Sequence, residues 1–258
     1  MEGPPVPRIA AAACATLLVL AGTPAAVRPA QAAPRPGPVI VIDPGHSRTV
    51  HAVDKRTGLV VSDYENEPEM RDMFAVAQLV AKTLRRDGYR VVLTKTSLRQ
   101  KRSLAQRAAI ANRAHAALAL SIHDQAGRNG GIGFRRGNNI VYYQSVGGWR
   151  ATPSGRKVVF RDKAVARTSK KYGRLFAVER QRVQGTAVRV QRNVGYNLGS
   201  RGLAPGNMWI VQLLSRVPWI YNEAGGNSAG RVGLNARDRR TYANSLVAAV
   251  RRCVPIRR

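Results

Sequence analysis

Short, uninterrupted apolar runs of strand length alternate along this chain with segments of helical periodicity. That alternation constrains the fold more than any other feature. Residues 39–42 (VIVI) form a continuous β-branched run, and residues 116–122 (AALALSI), 139–144 (NIVYYQ) and 219–223 (WIYNE) read the same way. A strand covered on both faces is apolar throughout, whereas a strand with one wet face alternates. Residues 89–94 read as another strand and 208–213 as a short one. Between them, Met73, Ala77, Val80 and Leu84 recur at helical spacing, with Pro68 suited to a first turn and Asp87-Gly88 to a stop. Residues 104–114 read as a second helix. Residues 163–183 read as a long basic helix with an apolar stripe at Val165, Tyr172, Phe176 and Val183. Residues 235–253 read as a closing helix with Tyr242, Leu246, Val250 and Val254 inside. The pattern predicts an α/β fold: a mostly parallel twisted sheet flanked by helices on both faces, in one domain. Residues 47–68 show little periodicity and read as a long loop, a kind of segment that is often functional in a compact domain.

The N-terminal segment speaks to the compartment. Arg8 supplies a weak basic region, residues 9–22 an Ala/Leu-rich apolar region, and Ala30-Gln31-Ala32 a small-residue cleavage signal. Residues 1–32 are therefore expected to be a secretory signal peptide, followed by a Pro-rich segment at 33–38. The apolar run is short for a membrane span, and no transmembrane span is expected in the mature chain. Of the two cysteines, only Cys253 would remain, so an internal disulfide is excluded and a metal site must use His and carboxylates. The 258 residues carry a net charge of +29. Losing Arg8, Arg28 and Glu2 on export lowers this by one, to +28. Such a charge attracts polyanions. Export and an aromatic content of 6% count against nucleic acid as the partner. The anions outside a bacterium-like cell are wall carboxylates, wall phosphates and lipid headgroups.

Ligands of parallel α/β sheets sit beyond the carboxyl ends of the strands. His46 lies just past the first apolar run, His123 just past the third, and Glu223 at the end of the last. All three open onto one predicted rim. Hydrolytic zinc sites commonly take three ligands from His and carboxylate and leave a fourth position open. His46 and His123 supply two. Glu65, Glu67 and Glu69 can supply the third. Glu69 stands four residues before Met73 and eleven before Val80, so it projects from the buried stripe, where an unpaired carboxylate is costly.

These residues belong to an ordered set: VIVIDPGH at 39–46, Glu69 nineteen residues before Gly88-Tyr89, Leu93-Thr94-Lys95, Arg107 in QRAAIAN, Ser121-Ile122-His123, and PWIYNEAG at 218–225. The set resembles the zinc-dependent N-acetylmuramoyl-L-alanine amidases of bacterial cell walls over roughly residues 39–252. The resemblance implies a zinc amidase catalytic domain at 39–254 and a short basic tail at 255–258. It implies His46, Glu69 and His123 as ligands of one Zn2+, and Glu223 as the catalytic glutamate. It implies a secreted or wall-associated hydrolase of peptidoglycan that cuts the amide between the muramoyl lactyl group and L-alanine. Asp43, Asn222 and Arg107 are then expected to orient ligands or meet substrate. Ser47-Arg48, Asp124-Gln125 and Lys95 depart from the family's usual residues, and residues 127–201 are longer and more basic.

Residues 128–201 carry 17 Lys or Arg against Asp162 and Glu179. Such an unbalanced segment reads as a surface for anionic wall polymers. A zinc peptidase acting inside the stem peptide uses the same chemistry, and product identity separates the two. A non-catalytic basic wall-binding protein would have lost a ligand or the glutamate, and all four residues are present.

Overall fold

The β-branched run at the head of the domain forms β1 (Val39–Pro44), with every position after Val39 buried. The computed structural model describes Met1, Gly3 and residues 36–125, 139–194, 207–225 and 234–256. The chain divides into Met1–Arg35 and a unit Pro36–Arg258, and the fold below is that of the second unit. The expected signal peptide at 1–32 falls outside the described residues apart from Met1 and Gly3.

In chain order the elements are β1, α1 (Glu67–Arg86), β2 (Arg90–Leu93), α2 (Leu104–Arg113), β3 (Leu118–Gln125), β4 (Ile140–Tyr143), β5 (Trp149–Ala151), β6 (Lys157–Val159), α3 (Lys163–Gln184), β7 (Arg189–Arg192), α4 (Ile210–Leu214), β8 (Trp219–Gly225) and α5 (Ala236–Cys253). Six strands form one sheet in the order β2-β1-β3-β8-β4-β7. All its pairings are parallel except that of β4 with β8. The sheet is thus mostly parallel, as the apolar runs predict.

Helices cover both faces. Ile40, Ile42, Leu120 and Ile220 pack under α1, α3 and α5. Val41, Ala119, Tyr142 and Trp219 pack on the other face, against α2 and α4. This is the period-two alternation of a strand buried on both sides. Local chemistry sets the helix ends. Ser103 and Gln106 make a reciprocal capping box at α2. Asp162 caps α3, which ends at left-handed Gly185. Asn235 caps α5. Among the described residues no helix is long and apolar enough to cross a membrane.

The structure corrects one expectation. Residues 208–213 do not form a strand. Asn207 makes an isolated bridge to Trp149, and the apolar run that follows winds into α4, with all five residues buried. A short apolar run carries no period that separates a buried strand from a buried helix turn. The loop at 47–68 also has order of its own: Val50 pairs with Asp63 and Val53 with Val60, both antiparallel, so it is a loose hairpin.

Candidate metal centre

Three strand ends and one helix start build the centre. β1 and β3 run side by side, and the turn after β1 is tied to β3 by Gly45 N donating to Ile122 O (2.8 Å). Gly45 has no substitute there: a Cβ would lie 2.7 Å from the His123 ring and 2.9 Å from Ile122 O. His46 follows in the left-handed region at φ 53°, a strained conformation for a residue with a side chain.

Buried cations hold that turn. Arg107 donates to Pro44 O (2.9 Å) and His46 O (2.7 Å). Lys95 Nζ donates to Gly45 O (3.0 Å) and also to His46 O. Burial, with the Arg107 charge beside it, brings the Lys95 ammonium down to about 8. Arg107 is 1% exposed and pairs with Asp43 (2.7 Å) and Asp63 (2.6 Å). Asp43 also accepts from Thr94 (2.6 Å) and Ser121 (2.9 Å), and Ser121 in turn accepts from the Trp219 indole. Burial raises the Asp43 pKa, and the Arg107 charge with these hydrogen bonds more than reverses it, so the carboxyl stays below its ordinary range.

On this frame His46, Glu69 and His123 converge, with their donor atoms all within 4.8 Å of one another. Glu69 Oε2 meets His46 Nε2 at 2.9 Å, and Glu69 Oε1 meets His123 Nδ1 at 2.9 Å. Glu69 is 5% exposed and also accepts from Asn66 Nδ2 and the Asp124 amide. His46 Nδ1 faces Tyr64 O at 3.0 Å, which leaves Nε2 turned inward. Burial pushes the Glu69 carboxyl up, but hydrogen bonds from His123 and His46 outweigh it and hold Glu69 well below its ordinary range. Burial likewise opposes a charge on His46, yet Glu69 wins and raises it. For the more deeply buried His123, burial wins and lowers it. Two imidazoles and one carboxylate aimed at one point are a donor set that can hold a divalent metal. The neighbouring acids are engaged elsewhere: Glu65 pairs with Arg48 and Glu67 with Arg71. The helical phase that singles out Glu69 agrees with this placement.

Glu223 pairs in register with His123 across β3 and β8, so the two share one face of the sheet. It is outside the converging trio. Burial raises its pKa well above the ordinary value, and the negative Glu69 and Asp124 add to this. Asn222 donates to Ser121 O and accepts from Arg180. Arg180 is fully buried on α3 and also donates to Glu223 O (2.9 Å) and Ile140 O (3.2 Å), bracing the antiparallel β4–β8 pair.

A cavity of about 330 Å³ opens beside the trio, lined by His46, His123, Tyr64, Arg150, Trp209 and Tyr221 among others. Its apolar wall is a stack: His123 on Tyr221 (4.5 Å between centroids) and Tyr221 on Trp209 (5.0 Å). Asp63, Arg180, Trp209 and Arg150 carry no motif in the sequence, and Tyr221 lies in the 218–225 motif without being singled out there. The aspartate in the loop was the only trace of the first, because its partner lies 44 residues away.

A family model described as N-acetylmuramoyl-L-alanine amidase matches residues 40–252. The N-acetylmuramyl-L-alanine amidase Ami1 of Mycobacterium smegmatis has a similar structure, at TM-score 0.57 and 17% identity over 84% of this chain and 97% of that one. The apo form of Ami1 from Mycobacterium abscessus gives 0.57 and 19% over 84% and 98%. The catalytic domain of CwlV, an amidase of Bacillus (Paenibacillus) polymyxa, gives 0.50 and 19% over 85% and 99%. At these identities the likeness is one of fold. No curated protein sequence matches significantly.

Two predictions follow from the geometry. Arg107→Met leaves Asp43 and Asp63 buried without their cation and should cost about 3–5 kcal/mol in a urea unfolding curve. A loss under about 1 kcal/mol would mean the network is not what holds the turn. Burial, with Glu69 and Asp72 nearby, pushes the Asp124 carboxyl up to about 7. In metal-free protein its contribution to stability is complete below the unfolded value of about 4 and is lost as pH rises through about 7. Asp124→Asn should flatten the pH–stability curve of the chelator-treated protein across that window.

Proposed function

We propose, for a chain that belongs to the N-acetylmuramoyl-L-alanine amidase family, that it is a secreted zinc hydrolase of peptidoglycan. Its bond is the amide between the muramoyl lactyl group and L-alanine of the stem peptide. The observation that carries this reading is the convergence of His46, Glu69 and His123 with Glu223 in register beside them.

His46 through Nε2, His123 through Nδ1 and Glu69 through its carboxylate would hold one Zn2+. When bound, zinc in such a site lowers the pKa of water towards neutrality and polarises a carbonyl. Glu223 acts as general base on the attacking water and then delivers that proton to the leaving amine of L-alanine. Burial and two neighbouring acids disfavour charge on its carboxyl in the bare site. With a cation held by the trio, the charged form of Glu223 that the base role needs would be favoured. Asp43 and Arg107 keep the His46 turn in place, and the Tyr221–Trp209 stack offers the substrate an apolar wall. Residues 1–32 direct export. The exposed face of α3, with Lys163, Arg167, Lys170, Lys171, Arg174 and Arg182, gives the mature enzyme affinity for anionic wall polymers.

Glu223→Gln should lower kcat/KM on muramoyl-peptide by about 10²–10⁴-fold while zinc stoichiometry stays at that of the wild type. Glu69→Ala should lose the metal itself. Turnover retained in the first variant, or normal zinc in the second, would contradict the assignment of these roles.

A further inference from the structure

One guanidinium in the same cavity has no anionic partner among the described residues. Arg150, in β5, lines the cavity together with His46 and His123. It is part-buried, and no hydrogen bond or ion pair joins it to any described residue. Desolvation alone acts on it and lowers its pKa. The two carboxylates on the cavity wall, Asp43 and Asp63, are already committed to Arg107. A guanidinium partly stripped of water with no counter-charge is a cost that a bound anion would offset.

Arg150 faces Val158 in the β5–β6 hairpin, and the hairpin is tied to the start of α4 by the Met208 amide donating to Trp149 O (3.0 Å). The side chain therefore rises from a strand bonded to the segment that delivers Trp209 to the cavity wall. A cavity of about 330 Å³ is at the small end of ligand pockets. The anion it meets must then lie close to the bond that the neighbouring centre attacks.

We propose that Arg150 is a substrate-carboxylate receptor: its guanidinium pairs with a free carboxylate on the peptide, near the L-alanine side of the scissile amide. This rests on the amidase reading. The muramoyl half of the substrate offers hydroxyls, an acetamide and a lactyl group already tied up as the amide, so the negative charge lies on the peptide. A guanidinium binds a carboxylate through two parallel N–H donors, which fixes the register of the peptide as well as its charge.

The test uses two synthetic N-acetylmuramoyl-L-alanyl peptides. They are identical except that the residue after L-alanine carries a free carboxylate in one and its primary amide in the other. Calorimetric titration of zinc-loaded Glu223→Gln protein should show a preference of about 10- to 100-fold for the carboxylate. Adding Arg150→Gln should bring that ratio close to one. Arg150→Lys keeps the charge but not the fork and should retain only part of the ratio, which keeps the test open if Arg150→Gln does not fold. Equal affinity for the two peptides, or an unchanged ratio in both Arg150 variants, overturns the proposal. Release of L-alanyl peptide by the wild type without any carboxylate preference removes the receptor and leaves the amidase. A preference that depends on Arg150, with no such release, leaves the receptor and removes the amidase.

Discussion

The Arg107 guanidinium is the interaction on which the rest of the site depends. It is buried, it neutralises two buried aspartates, and its two terminal nitrogens also donate to the carbonyls of Pro44 and His46. Through Asp43 it reaches β2, β3 and β8, because Thr94, Ser121 and Trp219 are joined to that carboxylate in sequence. Through Asp63 it anchors the hairpin loop that presents Tyr64 O to His46. A buried ion pair repays its desolvation only when most of its donors and acceptors are satisfied, and here one cation serves four oxygens, in β1, the turn after it and the hairpin loop. The consequence is a histidine held in a left-handed conformation with its inward nitrogen already aimed at Glu69.

Much of this was legible in the chain. The uninterrupted runs at 39–42 and 116–122 became β1 and β3, and the 3.6-residue stripe before Gly88 became α1 and chose Glu69 over its neighbours. What failed to show has physical reasons. β5, β6 and β7 are three or four residues long, half-exposed and rich in Lys and Arg, so they carry no hydrophobic period. The run at 208–213 is apolar on every side because α4 is enclosed, and its helical turn is invisible in composition. Asp63, Arg180 and Arg150 gain their meaning only from groups brought to them by tertiary structure. The basic tail at 255–258 and the ends of the basic segment lie partly outside the described residues.

The positive charge is not one thing. Arg107 and Arg180 are interior braces that donate to backbone carbonyls and buried side chains. Arg150 stands in the cavity. The six exposed cations of α3 form a surface field of the kind that attracts polyanions. The rim departures noted in the sequence also separate. Lys95 still donates to the His46 turn, whereas Asp124 adds a buried acid beside Glu69. Both departures leave the three converging side chains His46, Glu69 and His123 in place.

If His46, Glu69 and His123 hold a metal that hydrolysis of the muramoyl–L-alanine amide requires, removing that metal stops the reaction and restoring zinc returns it. Mass spectrometry of purified peptidoglycan tests it, with three digests: the protein as isolated, after chelation, and after zinc is restored. The account predicts peptides with a new N-terminal L-alanine in the first and third digests and none in the second. Those peptides persisting after chelation, or cuts only inside the stem peptide, would contradict it.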